Sequence, residues 1–175
     1  MNIGVLKGIG GFFLLLLAQA LVFNHIHLFN CATPLLYVYI VTLFRRDFPQ
    51  WIILVASFTM GLCVDIFSNT PGLAAASMTF VGMLQPYLLT LFLPRKSGDD
   101  PDLAPSMGSM GMERFTWYAL IIVFCYCLVF FALEAFDFDN WLHWLENVGG
   151  SFALTSILLL TIEFFRFRTQ HENRV

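Results

Sequence analysis

The chain has 175 residues, of which 58% are apolar, 17% aromatic and only 12% charged, against roughly 25% charged in an average soluble domain. A soluble domain of this length has too little interior to hide that much apolar side chain, so the composition speaks for an all-α, polytopic membrane bundle and against a soluble enzyme. The net charge of −3 gives no sign of nucleic-acid binding; what matters is where the two signs fall along the chain.

Apolar runs lie at 9–23, 34–44, 51–66, 73–93, 115–136 and 148–167. Six spans is the natural count, and at about 20 residues each they would use roughly 120 residues and leave no room for a separate catalytic or receptor domain. The whole of 1–175 therefore reads as one integral membrane domain. The first run follows Lys7 and contains Ala18-Gln19-Ala20, an A-x-A pattern found at signal-peptide cleavage sites. It continues through Leu21, Val22 and Phe23, so a span is the preferred reading. The second run is short and is extended back toward Phe29, as a short or tilted helix. Between the third and fourth, Ser68-Asn69-Thr70-Pro71-Gly72 reads as a turn, with Thr70 as helix cap and Pro71 at the first helical position. From about 95 to 114 the chain becomes a polar linker with Pro101, Pro105, Gly98, Gly108 and Gly111. Its Met107, Met110 and Met112 are soft-metal ligands in principle, but a disordered loop is the preferred reading.

All nine Lys and Arg residues obey one arrangement. Lys7 precedes the first run, Arg45 and Arg46 follow the second, Arg95, Lys96 and Arg114 flank the linker, and Arg166, Arg168 and Arg174 follow or end the last. The opposite side collects His25, His27, Asp65, Glu134, Asp137, Asp139, His143 and Glu146. Cations in short loops are retained in the cytoplasm, so both termini and the linker are expected there.

Asp65 is the residue singled out. Counted from Trp51 at an interface, fourteen residues of helix put it about 21 Å into a core roughly 30 Å thick. Its place at a helix end surrounds it with carbonyls that repel an anion, so donors from the following turn are expected to hold it. A structural clamp is preferred over a proton or ion path, the other role of intramembrane acids. Gly61 lies on the same helical face and would admit a close helix contact. Glu163 and Arg166, three apart, read as an interfacial ion pair. His25 and His27 share no helical face, and Cys31, Cys63, Cys125 and Cys127 have no C-x-x-C spacing, so neither metal site, cofactor nor disulfide is expected. Hydrolase, zincin and P-loop motifs are absent, as are paired intramembrane aspartates.

The stretch Gly61-Leu62-Cys63-Val64-Asp65-Ile66-Phe67-Ser68-Asn69-Thr70-Pro71-Gly72-Leu73-Ala74-Ala75-Ala76 resembles the signature of the MreD family, rod shape-determining membrane proteins of bacteria. In that family a Gly, an Asp four residues on, a short polar turn, then Gly and small residues open the next helix; Gly61, Asp65, Gly72 and Ala75 occupy those places. Ala74 stands where many members carry His, so no role of that histidine carries over. The resemblance implies a non-enzymatic subunit of the wall-elongation complex in the bacterial inner membrane. It further implies an MreC-like single-span partner, indirect links to MreB filaments and peptidoglycan synthases, and a fold similar to the substrate-binding subunits of energy-coupling-factor vitamin transporters. A small-molecule-binding transporter subunit is the alternative, with Gln19, Asp65, Ser77, Thr79, Gln85 and Thr155 as its available polar groups.

Overall fold

The computed structural model describes residues 10–11, 16–17, 34–45, 48–93, 105–135 and 141–172. Within these there is no strand. A 3-10 turn at Leu36–Val38 runs into α1 (Tyr39–Thr42), followed by α2 (Gln50–Ser68), α3 (Leu73–Phe92), α4 (Met107–Met110), α5 (Met112–Glu134) and α6 (Trp141–Glu172). Residues 10–11 and 16–17 are also helical.

Four helices, not six, are long and apolar enough to cross a membrane among the described residues: α2, α3, α5 and the stretch Trp144–Thr169 of α6. The first expected span falls mostly outside them. The second is corrected: its described part, residues 34–44, is helical only at 36–42, and every position from 34 to 42 is buried. The helical piece starts only at Leu36, because Leu35 has non-helical backbone angles, and has ended by Leu43. Seven helical residues rise only about 10–12 Å, far short of a bilayer core.

The four long helices run alternately up and down around this central segment. α2 and α3 form a hairpin through residues 69–72. The later part of α3 meets the early part of α5, where Gln85 bonds Tyr118 and the Phe92 and Tyr118 rings pack edge to face. The end of α5 meets the start of α6, where Trp144 Nε1–H donates to the Phe131 carbonyl at 3.0 Å. Consequently Arg45, Arg114, Arg166 and Arg168 all lie at one end of the bundle, and the Asp65 turn and Glu134 at the other.

The polarity of the bundle is that of a membrane protein. Trp51, Val55, Phe58, Leu62 and Ile66 form an outward stripe along α2, with Ile66 71% exposed, and Phe80, Met83, Tyr87 and Leu91 do the same on α3. Inside lie Ser57, Asp65, Ser77, Gln85, Ser151, Thr155 and Glu163, all buried. Apolar ribs of this extent suit hydrocarbon; on a water-facing surface they would aggregate.

The linker is also corrected in part. Residues 94–104 lie outside the described set, but Met107 and Met110 belong to the core and α4 packs against α5 and α6. α5 then starts at Met112, ahead of the expected boundary.

Candidate functional site

Asp65 stands on the last turn of α2 and connects it to α3. Its backbone carbonyl accepts the N–H groups of Asn69 and of Thr70, the latter at 3.2 Å, which closes α2. Its carboxylate faces onward. Oδ1 accepts the Ala74 N–H at 2.9 Å and the Thr70 hydroxyl at 3.0 Å, while Oδ2 accepts the Ala75 N–H at 2.9 Å. Ala74 and Ala75 are the second and third residues of α3, the amides that a capping side chain ordinarily satisfies. Gly72 occupies the cap position and has no side chain, so the acid of the preceding helix serves instead. The negative charge thereby sits at the positive end of α3, which offsets the repulsion from the carbonyls of α2.

Donors from the following turn and helix start do reach Asp65, with one local correction. Thr70 is not the helix cap and Pro71 is not helical; α3 opens at Leu73, and both residues belong to the turn. Asn69 (φ 55°) and Gly72 (φ 85°) take left-handed backbone, which Asn tolerates and Gly adopts freely. The turn can be this tight because the helices touch below it. A Cβ on Gly61 would lie 2.5 Å from both the Ala74 carbonyl oxygen and the Ala75 Cα, so the absent side chain lets backbone meet backbone. Two turns further along, a Cβ on Gly82 would lie 2.7 Å from Ser57 Oγ.

A second polar arrangement grips the central segment. The Leu35 N–H donates to Thr155 Oγ1 of α6 at 3.1 Å. The Tyr37 and Tyr126 hydroxyls bond each other, with their rings edge to face. The Tyr39 hydroxyl donates to Glu163 Oε2 of α6. Gln85 Nε2 of α3 donates to the Phe44 carbonyl and to Tyr118 Oη, both at 3.1 Å. Non-helical backbone is tolerated at membrane depth only where protein or a wet cavity satisfies it, and here α3 and α6 supply the partners, while α5 holds the Tyr37 side chain. Gln85→Leu is expected to lower the melting temperature in detergent, at a cost of about 1–3 kcal/mol, because the half-buried Phe44 carbonyl and the buried Tyr118 hydroxyl both lose their donor.

Glu163 departs from its expected role. The pair with Arg166 exists at 3.5 Å, but Glu163 is only 1% exposed. It also receives the Met107 N–H at 3.3 Å, so it joins α4, the central segment and α6. Reasoning along the sequence missed this because the other two partners are 56 and 124 residues away; the one available signal was an acid inside an apolar run.

The remaining polar groups expected for a ligand site are engaged internally. Ser77 Oγ and Thr79 Oγ1 each donate to the carbonyl four residues back, at 2.7 Å. Asp65, Gln85 and Thr155 hold the backbone groups given above, although the buried Gln85 Oε1 has no hydrogen-bond partner among the described residues. Cys63, Cys125 and Cys127 are free thiols, and among the described residues no three His, Cys, Asp or Glu side chains come together as metal ligands. Lys7, Gln19, His25, His27, Cys31, Arg46, Arg95, Lys96, Asp137, Asp139 and Arg174 lie outside the described residues, as does the side chain of His143. No family model, curated protein or solved structure matches the chain.

Proposed function

We propose that the chain is a non-catalytic, MreD-like scaffold subunit of the bacterial wall-elongation machinery, which binds a single-span MreC-like protein and helps maintain rod shape. The observation that carries this reading is the α2–α3 junction. The residues on which the resemblance rests, Gly61, Asp65, Gly72 and Ala75, cooperate with Thr70 in one clamp, with Pro71 in its turn. A second support is that buried Asp65, Ser77, Gln85, Thr155 and Glu163 each hold a backbone group of the protein itself, an arrangement suited to a rigid docking body.

In this reading the bundle lies in the inner membrane with its cationic end in the cytoplasm. Four crossings from α2 to α6 return the chain to the side on which Arg45 lies, so Arg45, Arg114, Arg166 and Arg168 agree with retention of positive charge there. By the same rule Lys7 places the N-terminus on that side too. Tags at both termini and at Ser106 are expected to report cytoplasm, and a tag near Asp139 the outside.

Co-purification from detergent with a single-span partner, with no turnover by the chain itself, is the expected result. Depletion in a rod-shaped host is expected to cause rounding and loss of wall elongation. Normal morphology, no recovered partner and a tightly bound vitamin-like molecule would together overturn the scaffold in favour of the transporter subunit.

A further inference from the structure

The buried carboxylate of Glu163 and the methionine-rich end of the linker meet at one point, and neither is needed by the scaffold reading. Pro105 and Met107 are buried, the Met110 N–H bonds the Ser106 carbonyl at 3.1 Å, and Met107 donates its N–H to Glu163 Oε1 at 3.3 Å. A Cβ on Gly108 would lie 3.7 Å from the Phe167 ring, so this side of α4 lies against α6. On its other oxygen Glu163 accepts the Tyr39 hydroxyl. Arg166, which is 35% exposed at its side chain, lies 3.5 Å from Oε2 and donates to Tyr39 Oη at 3.3 Å. One side chain therefore holds both the end of the linker and the central segment, each by a single hydrogen bond.

We propose that residues 105–110 form a releasable clasp, whose docking is coupled through Glu163 to the packing of the central segment at residues 35–43. A buried carboxylate is stable only while its donors are in place. If Tyr39 withdraws, the carboxylate turns toward Arg166, its charged neighbour, and lets go of the Met107 amide. If the clasp withdraws, the same reorientation loosens Tyr39. Coupling of this kind is reciprocal: a cytoplasmic molecule that draws the linker away from the bundle would free the central segment, and one that displaces the central segment would free the linker. The device needs no assumption about which partner the scaffold binds.

Hydrogen–deuterium exchange of the full chain in nanodiscs tests this, with the α2–α3 hairpin as internal reference. Tyr39→Phe deletes a hydroxyl that bonds Glu163 and Arg166 and has no bond to residues 105–110. It is expected to raise exchange roughly tenfold both at 35–43 and at 105–111, as loss of one charge-assisted hydrogen bond would. Met107→Pro removes the donor from the opposite side, at a first helical position that accepts proline, and is expected to raise exchange at 35–43. Coupling is refuted if each variant loosens only its own segment. It is equally refuted if the hairpin accelerates as much as the two segments, since that is general destabilisation.

Discussion

Gly61→Leu is expected to abolish the accumulation of folded protein in membranes, and Gly61→Ala to lower its melting temperature in detergent. A single Cβ at this position would sit 2.5 Å from the Ala74 carbonyl oxygen and from the Ala75 Cα. Both neighbours are backbone, so no side-chain rotation relieves the overlap, and α2 must move away from α3. That separation would also lengthen the bonds from Asp65 to the Ala74 and Ala75 amides. For alanine the cost of overpacking is about 1–3 kcal/mol, a large part of a typical stability of roughly 5–15 kcal/mol; leucine adds three more carbons to the same place. Gly149→Leu is the matched control, because a Cβ there meets nothing within 4 Å. Equal yields of the two leucine variants, by fluorescence-detected size exclusion, would show that the contact between α2 and α3 is not set by Gly61.

The α2–α3 junction was readable in the sequence because its determinants are local. Gly61 and Asp65 share a helical face through their spacing of four, and the donors that hold Asp65 follow within ten residues. What misled was the assignment of the cap: Thr70 and Pro71 have the right chemistry for a helix start, but the carboxylate reaches past them to Ala74 and Ala75. The central segment was misread for a different reason. Residues 34–44 are apolar enough for a span, yet a run of eleven is the length of a buried core helix or re-entrant piece, and that length was the signal against a crossing. Tyr37 and Tyr39 carry hydroxyls that find Tyr126 and Glu163 only after folding. The Gly, Ser and Met of residues 106–112 look like a flexible loop by composition. Burial of Met107 and Met110 depends on surfaces of α5 and α6 that no local pattern announces. Fold class and the up-down order of the long helices follow from hydropathy, whereas the interior polar contacts rest on pairings 33 to 124 residues apart.

Asp65→Ala is expected to reduce folded protein and partner retention strongly, and Asp65→Asn to do so less. Alanine removes the acceptor for three donors at once: the Thr70 hydroxyl and the N–H groups of Ala74 and Ala75. The two amides are buried at the helix start, and each unsatisfied donor costs about 1–3 kcal/mol. Asparagine retains one carbonyl oxygen, which can take the place of Oδ1 and serve Ala74 and Thr70. Its amide nitrogen must then face the Ala75 N–H, donor against donor, and the charge that complements the positive end of α3 is gone. Asparagine should therefore fall between wild type and alanine, nearer to wild type in the amount of folded protein. Thr70→Val, which loses only the half-buried edge of the clamp, should be milder than either. The decisive measurement pairs membrane abundance with partner recovery for all three variants. Abundance and recovery falling in parallel, in the order alanine, asparagine, valine, identify Asp65 as a clamp. If asparagine matched alanine in lost function while its folded level stayed that of wild type, the charge itself would be the functional element, and the role of Asp65 would move from clamp to proton or ion path.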